Sequence, residues 1–361
     1  MESPFFEKHF LAPEDAGELI GADGSGQSGE PGCGAVIRMD IRFRGESIDE
    51  AGFLATGASA AIVVASILTG LIRGRHWRAA AAISPAQLVK AAREGQGSET
   101  GAADAAMLDR TASFAIEALH QALEDALRRD RFPVAPAILD GRVMVAMSGG
   151  VDSSTACLLL DQQDRQVIGV TMRLWEAGED GADSGASCCS PEAIIEARAV
   201  CHSLGLPHLT VDCTEDFAAG VVDDFISEYR RGRTPNPCVF CNGEFRFPAL
   251  IRLADRLGAA GVATGHYARI IEIDGEPALA RGLDRRKDQS YMLAALDPAL
   301  LRRLVLPLGE MEKRQTRERA RQGGLAAHSR RESQDICFIP DGDYRRFLRQ
   351  QGGVKAESGD I

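Results

Sequence analysis

The sequence predicts an α/β protein whose main domain is a doubly wound parallel sheet, with an α+β domain before it and a short segment after it. Three observations carry this prediction. Strand and helix patterns alternate from residue 141 to about 295, which is typical of a parallel sheet covered by helices. In residues 1–130, strand patterns precede helix patterns, as in α+β folds. A Gly/Ser-rich turn, Ser148–Ser154, lies between a strand and a helix, where such sheets bind ligands.

The first domain, residues 1–130, begins its regular structure with a strand. Ile37, Met39, Ile41 and Phe43 alternate with charged residues, the period of a half-buried strand, and Gly45-Glu46 predicts a turn into a second strand through Ile48 and Phe53. Helices are expected over 57–71 and 112–127, with a loop at 96–104. The proline-rich stretch 132–136 marks a linker over 131–140.

The second domain, residues 141–295, is predicted to alternate strands and helices. We expect the helices to start at Ser153, span 191–204, follow Phe217 to Tyr229 and span 247–257. The strands are expected over 142–147, 166–174, 208–212 and 261–264. The third segment, 296–361, shows helical patterns at 298–304 and 313–323. It is too short for a large domain, and we expect it to be an arm that carries Cys337 back to the ligand site.

Composition indicates a soluble globular protein with two or three domains, since 45% of its 361 residues are apolar and 26% are charged. The N-terminus lacks the basic start of a signal peptide, and nine cysteines without a secretory signal favour reduced thiols, so we expect a cytoplasmic protein. Gly, Ser and Thr dilute the uncharged stretch 51–72. It therefore favours a buried helix rather than a membrane span, and we expect no membrane partner.

The formal net charge of −11 argues against nucleic acid binding until its distribution is considered. Residues 228–361 hold 24 Lys and Arg against 18 Asp and Glu, a net charge of +6, whereas the rest of the chain holds 17 against 34, a net charge of −17. Groups of basic residues recur in the basic part, as at 230–233 and 285–287. Such a surface suits a phosphate backbone, although solvated helix faces give the same count.

The turn at Ser148–Ser154 is a candidate phosphate site. A glycine-rich turn that leads into a helix presents backbone N–H groups and the positive end of the helix dipole to an anion. It lacks the lysine and the spacing of the G-x-x-x-x-G-K-[ST] loop, so a kinase or GTPase is a poor match; an ordinary strand-to-helix turn is the alternative. Ser-Gly-Gly-x-Asp-Ser resembles the loop of the ATP pyrophosphatase family, which implies that ATP is cleaved to AMP and pyrophosphate. Asp152 is then a candidate Mg²⁺ ligand.

Further motifs follow this loop in order. They are Thr234–Asn242, Ala263–Arg269, Lys287–Leu293 and Ser333–Ile339, together with Met172, Cys188-Cys189-Ser190 and the turn Leu308–Lys313. With the loop, and from about Val143 to Ile361, they resemble the tRNA-specific 2-thiouridylase (MnmA) family. The resemblance implies an ATP-dependent tRNA-uridine 2-sulfurtransferase, which adenylates C2 of the wobble uridine in tRNA and replaces its oxygen with sulfur.

The resemblance also implies roles for single residues. Cys241 corresponds to the nucleophile and Cys337 to the cysteine that carries a persulfide, and from its proline-rich setting we expect Cys241 on a rigid loop. The expected RNA contacts are Asn236, Pro237, Cys238, His266, Lys287, Asp288 and Gln289. The expected ATP contacts are Ala146, Met147, Ser148, Gly149, Gly150, Val151, Asp152, Ser153, Met172 and Gly265. Three of these features also have a purely structural interpretation when taken alone. His266 is then a core histidine, 287–289 a solvated loop, and Cys337 a core residue.

One departure from the family pattern affects the chemistry. Cys238 stands where many members have Asp, which creates Cys238-x-x-Cys241 with Cys337 as a third thiol. Three cysteines can hold a [4Fe–4S] cluster with one open iron, so a cluster and a persulfide are competing hypotheses. A zinc site is a third, and it needs a further ligand among Cys188, Cys189, Cys201 and Cys213.

The first domain resembles another family. His9-Phe10, Pro13, Gly17, Ala22–Gly24, Gly32–Gly34 and Phe53 followed by Gly57–Ile62 are similar to the IscU/NifU iron–sulfur scaffold. Cys33 remains, but Ala35 and Ala58 stand where that family has Asp and Cys, and one thiolate cannot hold a cluster built for four ligands. The resemblance implies the fold and docking to a cysteine desulfurase, with Cys33 either a buried apolar residue or a sulfur acceptor.

A last departure concerns the end of the chain. Members of the 2-thiouridylase family continue past the stretch seen at Gly359–Ile361 into a β-barrel that grips tRNA, and we expect this chain to lack it, with 296–361 as a shortened adaptor. Two alternatives to tRNA thiolation stay open. One is thiolation or amidation of a small molecule by the same ATP chemistry; the other is a non-catalytic adaptor in a sulfur relay.

Overall fold

The computed structural model of the chain describes residues 4–30, 34–94, 102–175, 190–329, 336–339 and 341–353. Internal contacts divide the chain into two compact units. The first comprises Met1–Ala137 with the short pieces Cys201–Val211 and Arg256–Gly258. The second comprises Ile138–Val200, Asp212–Asp255 and Ala259–Ile361.

The first unit contains a three-stranded antiparallel sheet, in the order β1 (Gly24–Glu30), β2 (Ala35–Arg44) and β3 (Ser47–Gly57). The predicted alternation along β2 is confirmed, since Ile37, Met39 and Ile41 are fully buried. The turn at Gly45 is also confirmed, with Arg44 paired to Ser47 and a φ of 58° at Gly45.

Strand β1 was not predicted, because its sequence GSGQSGE contains no apolar residue. Its glycines allow a helix to pack closely against the strand, since a Cβ atom on Gly26 would lie 2.3 Å from the carbonyl oxygen of Ala118. The strand is therefore specified by its partners, β2 and that helix, rather than by its own pattern.

The described part of the first unit contains five helices: α1 (Pro4–Leu11), α2 (Ser59–Ile72), α3 (Trp77–Ala81), α4 (Pro85–Glu94) and α5 (Ala102–Arg128). The uncharged stretch 51–72 is divided between β3 and α2, and α2 has only 14 residues. Within the described ranges, no helix combines the length and the apolar character that crossing a membrane requires. Helix α5 starts at residue 102, so the loop predicted over 96–104 is wrong at its end. The alanine-rich start of α5 favours helix.

The second unit contains most of a five-stranded sheet in the order β10-β7-β4-β5-β6. Its strands are β4 (Leu139–Ala146), β5 (Gln166–Arg173), β6 (His208–Asp212), β7 (Ala259–Ala263) and, after the hairpin described next, β10 (Leu304–Val305). The pairs β4–β5, β4–β7 and β10–β7 are parallel. The predicted α/β fold with a doubly wound parallel sheet is confirmed.

A two-stranded hairpin, β8 (Ala268–Ile273) and β9 (Glu276–Arg281), was not predicted. The helices of this unit are α6 (Val151–Asp161), α7 (Pro191–Ser203), α8 (Thr214–Phe217), α9 (Asp223–Arg230), α10 (Pro237–Phe240), α11 (Phe247–Arg256), α12 (Lys313–Gln322) and α13 (Tyr344–Gly352). The single helix predicted from Phe217 to Tyr229 is instead α8 and α9 joined by a π-helical turn, Ala218–Val222. Short 3₁₀ helices occupy Ser290–Leu293, Pro298–Arg303 and Ala326–Ser329.

Candidate active site

The turn between β4 and α6 has the geometry of an anion site. Gly149 has a φ of 67°, which glycine adopts without strain, and Gly150 is the N-cap of α6. In the described structure no side chain caps this helix end, so its first N–H groups face the turn. Ser153 Oγ accepts a hydrogen bond of 3.1 Å from the Ser148 backbone N–H and lies 3.2 Å from Ser148 Oγ, which fixes the shape of the turn.

Gly265 follows the end of β7 and lies against the first turn of α6. A Cβ atom at this position would lie 2.7 Å from Ser153 N and 2.8 Å from the carbonyl carbon of Asp152. Glycine is therefore required for the ends of two adjacent parallel strands to form one crevice, the usual ligand site of such sheets.

Asp152, the candidate Mg²⁺ ligand, is paired with a cation of the chain itself. The ammonium nitrogen of Lys313 lies 2.8 and 2.7 Å from the two carboxylate oxygens, and Tyr267 donates to Oδ1 at 2.9 Å. The same Tyr267 hydroxyl lies 2.9 Å from Thr316 Oγ1 on α12. Neither Lys313 nor Tyr267 was assigned a role from the sequence. The place of Lys313 at the end of the Leu308–Lys313 turn was the available signal.

Cys241 lies at a junction of two helical segments, so the expected rigid loop is wrong. Pro237 starts α10, and Asn236 caps it, with Oδ1 accepting hydrogen bonds of 3.2 Å from the N–H groups of Cys238 and Val239. Cys241 then opens a π-helical turn, Cys241–Arg246, that leads into α11. Proline at the first helical position and Asn at the N-cap both favour a helix that starts here. The backbone around Cys241 is therefore restricted by a capped helix rather than by a loop.

Cys337 lies in the short stretch Ile336–Ile339, which is held by aromatic packing. Phe338 is 2% exposed, and its ring lies 5.4 to 5.7 Å from those of Phe225 and Phe217. Cys241 is buried in the same apolar cluster, and Cys337 packs against it. No disulfide bond joins any of the six cysteines in the described ranges.

These parts line one cavity of about 610 Å³, entirely within the second unit. Of the predicted site residues, Gly149 and Asn236 do not line it; they shape the turn and cap α10. The predicted residues that line it are Ala146, Met147, Ser148, Gly150, Val151, Asp152, Ser153, Met172, Pro237, Cys238, Cys241, Gly265, His266, Lys287, Asp288, Gln289 and Cys337. The cavity thus contains the anion site and the thiols predicted to move sulfur.

His266 is neutral at physiological pH. Burial, and secondly the positive charge of Arg246, lower the pKa of its imidazole from 6.5 to about 4. Its Nδ1 lies 2.8 Å from Thr264 Oγ1. A neutral imidazole on the cavity wall can donate or accept a hydrogen bond without adding charge.

The stretch 287–289 is bound tightly to the rest of the cavity wall. Tyr267 and Gln289 exchange two hydrogen bonds, from Tyr267 N to Gln289 Oε1 at 3.0 Å and from Gln289 N to Tyr267 O at 2.8 Å. Asp288 accepts from Gly282 N and from Ser290. Burial raises the pKa of Asp288, but these hydrogen bonds outweigh it and hold the pKa below its usual range. Asp288 and Gln289 therefore position the wall that carries Lys287.

The residues that the structure describes do not form a metal centre in this arrangement. Cys238, Cys241 and Cys337 share the cavity, yet among the described residues no three His, Cys, Asp or Glu side chains lie close enough together to hold a metal ion. The hypotheses of a [4Fe–4S] cluster on these thiols and of a zinc site therefore gain no support from the geometry. Of the four further zinc ligands proposed, Cys201 and Cys213 are among the described residues, and Cys188 and Cys189 lie outside them.

Similar proteins of known family show the family to which the chain belongs. A family model described as the tRNA methyl transferase HUP domain matches residues 141–341, more than half of the chain, and the model of the NifU-like N terminal domain matches residues 4–129. The bifunctional protein NifU/MnmA of Rubrobacter xylanophilus is 41% identical over 342 residues, which cover 92% of this chain and 67% of that protein.

The chain belongs to the MnmA family.

Other MnmA relatives match the second part of the chain. The tRNA-specific 2-thiouridylase MnmA of Syntrophotalea carbinolica is 51% identical over 221 residues, and that of Carboxydothermus hydrogenoformans is 47% identical over 223. Each match covers 61% of this chain and 61% of the relative. The chain therefore spans about two thirds or less of the length of these MnmA proteins.

The match to the NifU-like N terminal domain agrees with the second resemblance. Ala35 and Ala58, which stand where a scaffold needs ligands, lie at the same end of the β2–β3 pair, since Ala35 pairs with Gly57 and Ala58 N donates to Gly34 O at 2.8 Å. Cys33 lies outside the described residues, as does the stretch 359–361.

Proposed function

We propose that this protein is an ATP-dependent tRNA 2-thiouridylase of the cytoplasm, which adenylates C2 of the wobble uridine and replaces its oxygen with sulfur. The observation that carries the proposal is the shared cavity: Ser148, Gly150 and Ser153 of the anion-binding turn line the same cavity of about 610 Å³ as the thiols of Cys241 and Cys337. An enzyme that activates an oxygen with ATP and displaces it with sulfur needs both groups at one carbon atom.

In the first step, O2 of the uracil attacks the α-phosphorus of ATP, and pyrophosphate leaves. The N-terminus of α6 offers its N–H groups and helix dipole to the departing negative charge. Met172 and Gly265 are the proposed contacts of the adenosine. A Mg²⁺ ion carried by the phosphates of ATP would have the Asp152 carboxylate as its protein ligand, since Mg²⁺ is commonly held by one or two carboxylates plus phosphate oxygens.

In the second step, the terminal sulfur of a persulfide on Cys337 attacks C2, and AMP leaves. The thiolate of Cys241 then attacks Cys337 Sγ, which releases 2-thiouridine and leaves a disulfide between the two cysteines. A thiol reductant must supply two electrons before the next cycle. The donor of the persulfide sulfur is proposed to be a cysteine desulfurase, for which the NifU-like domain is the proposed docking site.

The tRNA is proposed to lie over the basic wall of the cavity. Arg246, Arg286 and Lys287 line the cavity, and Arg285 is exposed beside it. Pro237, Cys238 and His266 are the proposed contacts near the uridine, with Asn236, Asp288 and Gln289 holding the segments that carry the contacts. Basic side chains at the cavity suit an acceptor with a phosphate backbone better than a small uncharged one.

The proposal is tested by anaerobic incubation with unmodified tRNA, ATP, Mg²⁺, a thiol reductant and cysteine with a cysteine desulfurase. Mass spectrometry of digested tRNA should show 2-thiouridine, and pyrophosphate should be released only when tRNA is present. Cys241→Ser and Cys337→Ser should abolish 2-thiouridine and keep the tRNA-dependent pyrophosphate release. Cys213→Ser, a cysteine outside the cavity, is the matched control. Absence of both products with the unaltered protein would overturn the proposal.

The route of the sulfur has its own test. If a persulfide is the carrier, trapping with an alkylating reagent should label Cys337, and Cys238→Ser should keep a large part of the activity. If a [4Fe–4S] cluster is required, anaerobic reconstitution with iron and sulfide should give the broad visible absorption of a cluster, and Cys238→Ser should abolish both the absorption and the thiolation.

A further inference from the structure

Lys313 carries a largely buried positive charge into the cavity and has no role in the chemistry proposed so far. Its side chain is 11% exposed, and its ammonium lies 2.7 Å from Asp152 Oδ2 and 5.7 Å from the centre of the Tyr267 ring. It lines the same cavity as Ser148, Gly150 and Ser153. The charge therefore lies at the first turn of α6, beside the anion-binding turn.

The turn itself contains no cation. Residues 147–154 read Met-Ser-Gly-Gly-Val-Asp-Ser-Ser, so the lysine that other phosphate loops hold within their own sequence is absent here. Backbone N–H groups and hydroxyls alone would face the charge of a triphosphate. Lys313 comes from 161 residues further along the chain and supplies a positive charge at this place.

The position of Lys313 is fixed by its backbone. It is the first residue of α12, which begins with a capping box between Glu312 and Gln315, and its N–H donates to Asp284 Oδ2 at 3.0 Å. That hydrogen bond is the first of several that hold the pKa of Asp284 below its usual range. The side chain of a lysine anchored in this way can still change partner, because its ammonium is a point charge with three rotatable donors.

Asp284 also links Lys313 to the wall of the cavity. Its other oxygen accepts a hydrogen bond of 3.0 Å from Arg286 N, and its carbonyl oxygen accepts one of 3.1 Å from Lys287 N. The helix end that carries Lys313 and the segment that carries Lys287 thus share one carboxylate.

We propose that Lys313 binds the pyrophosphate part of ATP, and that its ion pair with Asp152 is the form of the site before nucleotide enters. When ATP binds, the ammonium moves from Asp152 to a phosphate oxygen within the cavity. This inference rests on the proposed function only in taking ATP as the nucleotide. It makes the recognition of the phosphate chain depend on a residue of α12, outside the loop.

The test compares ATP with AMP, which lacks the pyrophosphate part, by isothermal titration calorimetry on the full chain. Lys313→Met should weaken ATP binding by about tenfold or more, since a hydrogen bond to a charged group contributes on that scale. AMP binding should change by less than about twofold, and Lys313→Arg should restore part of the ATP affinity. Arg314→Met removes an exposed basic residue next along the same helix and is the matched control; it should leave both affinities unchanged.

Two results would overturn the inference: unchanged ATP affinity in Lys313→Met, or an equal loss of ATP and AMP affinity, which would indicate a purely structural lysine. AMP binding by the variant also reports that the site is still folded. An unaltered protein that binds AMP but not ATP would count against the inference as well. An unaltered protein that binds neither nucleotide contradicts the proposed function instead, so the two failures are distinguishable.

Discussion

Gly265 is the residue at which the end of β7 meets the first turn of α6. Replacing it with Ala would place a carbon atom 2.7 Å from Ser153 N, and backbone atoms cannot move aside as the end of a side chain can. We expect Gly265→Ala to shift the anion-binding turn, to abolish ATP binding and to lower the free energy of unfolding by about 1–3 kcal/mol. Calorimetry with ATP and thermal unfolding measure the two effects.

Gly141→Ala is the control for this change, because a Cβ atom at Gly141 in β4 would meet no atom within 4 Å. This variant should bind ATP as the unaltered protein does. Equal ATP affinity in both alanine variants would show that the turn accommodates the extra atom and that Gly265 is not needed for the crevice.

His266 gives a prediction about pH. Its pKa is lowered to about 4 in the folded protein by burial and by Arg246, against 6.5 for an unperturbed histidine. Between these two values the unfolded chain binds a proton that the folded protein does not, so the free energy of unfolding falls as the pH falls from about 6.5 to 4. Above a pH of about 6.5, His266 does not make the free energy of unfolding depend on pH.

Nuclear magnetic resonance of labelled histidines measures this directly, with His266→Gln to assign the signal. We expect the His266 signal to keep its neutral position down to a pH of about 5 and to titrate with a midpoint near 4. A midpoint near 6.5 would mean that the imidazole is solvated and charges in the cavity, and it would remove the case for a neutral hydrogen-bonding group there.

At the scale of elements, the short helix α10 positions Cys241. Asn236 satisfies two N–H groups of this four-residue helix, and removal of such a cap costs about 1 kcal/mol. We expect Asn236→Ala to loosen the segment that carries Cys241, so that thiolation slows several-fold while tRNA-dependent pyrophosphate release is kept. Asn236→Ser retains a capping oxygen and should keep most of the thiolation. If Ala and Ser behave alike, the cap is not what positions Cys241.

The elements that the sequence revealed are those with an apolar pattern of their own. The predicted alternation over Ile37–Phe43 lies in β2, and the predicted apolar run from Val143 covers the end of β4. Strand β3 continues past the predicted Phe53 to Gly57, and β4 begins at Leu139, before the predicted residue 142. Strand β1 has no such pattern, because its glycines exist to let α5 approach. The β8–β9 hairpin did have a sequence signal, the dipeptide Asp274-Gly275, which is typical of a tight hairpin turn and has positive φ at both residues in the structure.

The candidate site also has one part that the sequence predicted and another that it did not. The anion-binding turn is a local motif, and its strand-to-helix setting could be predicted from contiguous residues. The network of Asp152, Tyr267 and Lys313 joins residues 115 and 161 positions apart, so no local pattern shows it. Only the family resemblance predicted that Cys241 and Cys337 act together, since they lie 96 positions apart and Cys337 alone has the sequence of a core residue.

At the scale of the whole molecule, the distribution of charge determines how the protein can bind RNA. The chain carries a net charge of −11, so a long-range field would repel RNA, whereas residues 228–361 carry +6. Binding of tRNA must then depend on basic side chains close to the cavity, and it must weaken steeply as salt screens and replaces those contacts.

Arg285, exposed beside the cavity-lining Arg286 and Lys287, provides the test. We expect Arg285→Ala to weaken tRNA binding and to reduce the slope of log affinity against log salt by about 1, the contribution of a single phosphate contact. Arg44→Ala, which removes an 82% exposed arginine from the first unit, changes the net charge equally and should leave the slope unaltered. If both variants reduce the slope to the same extent, net charge rather than the basic wall governs binding, and the proposed path of the tRNA over the cavity is wrong.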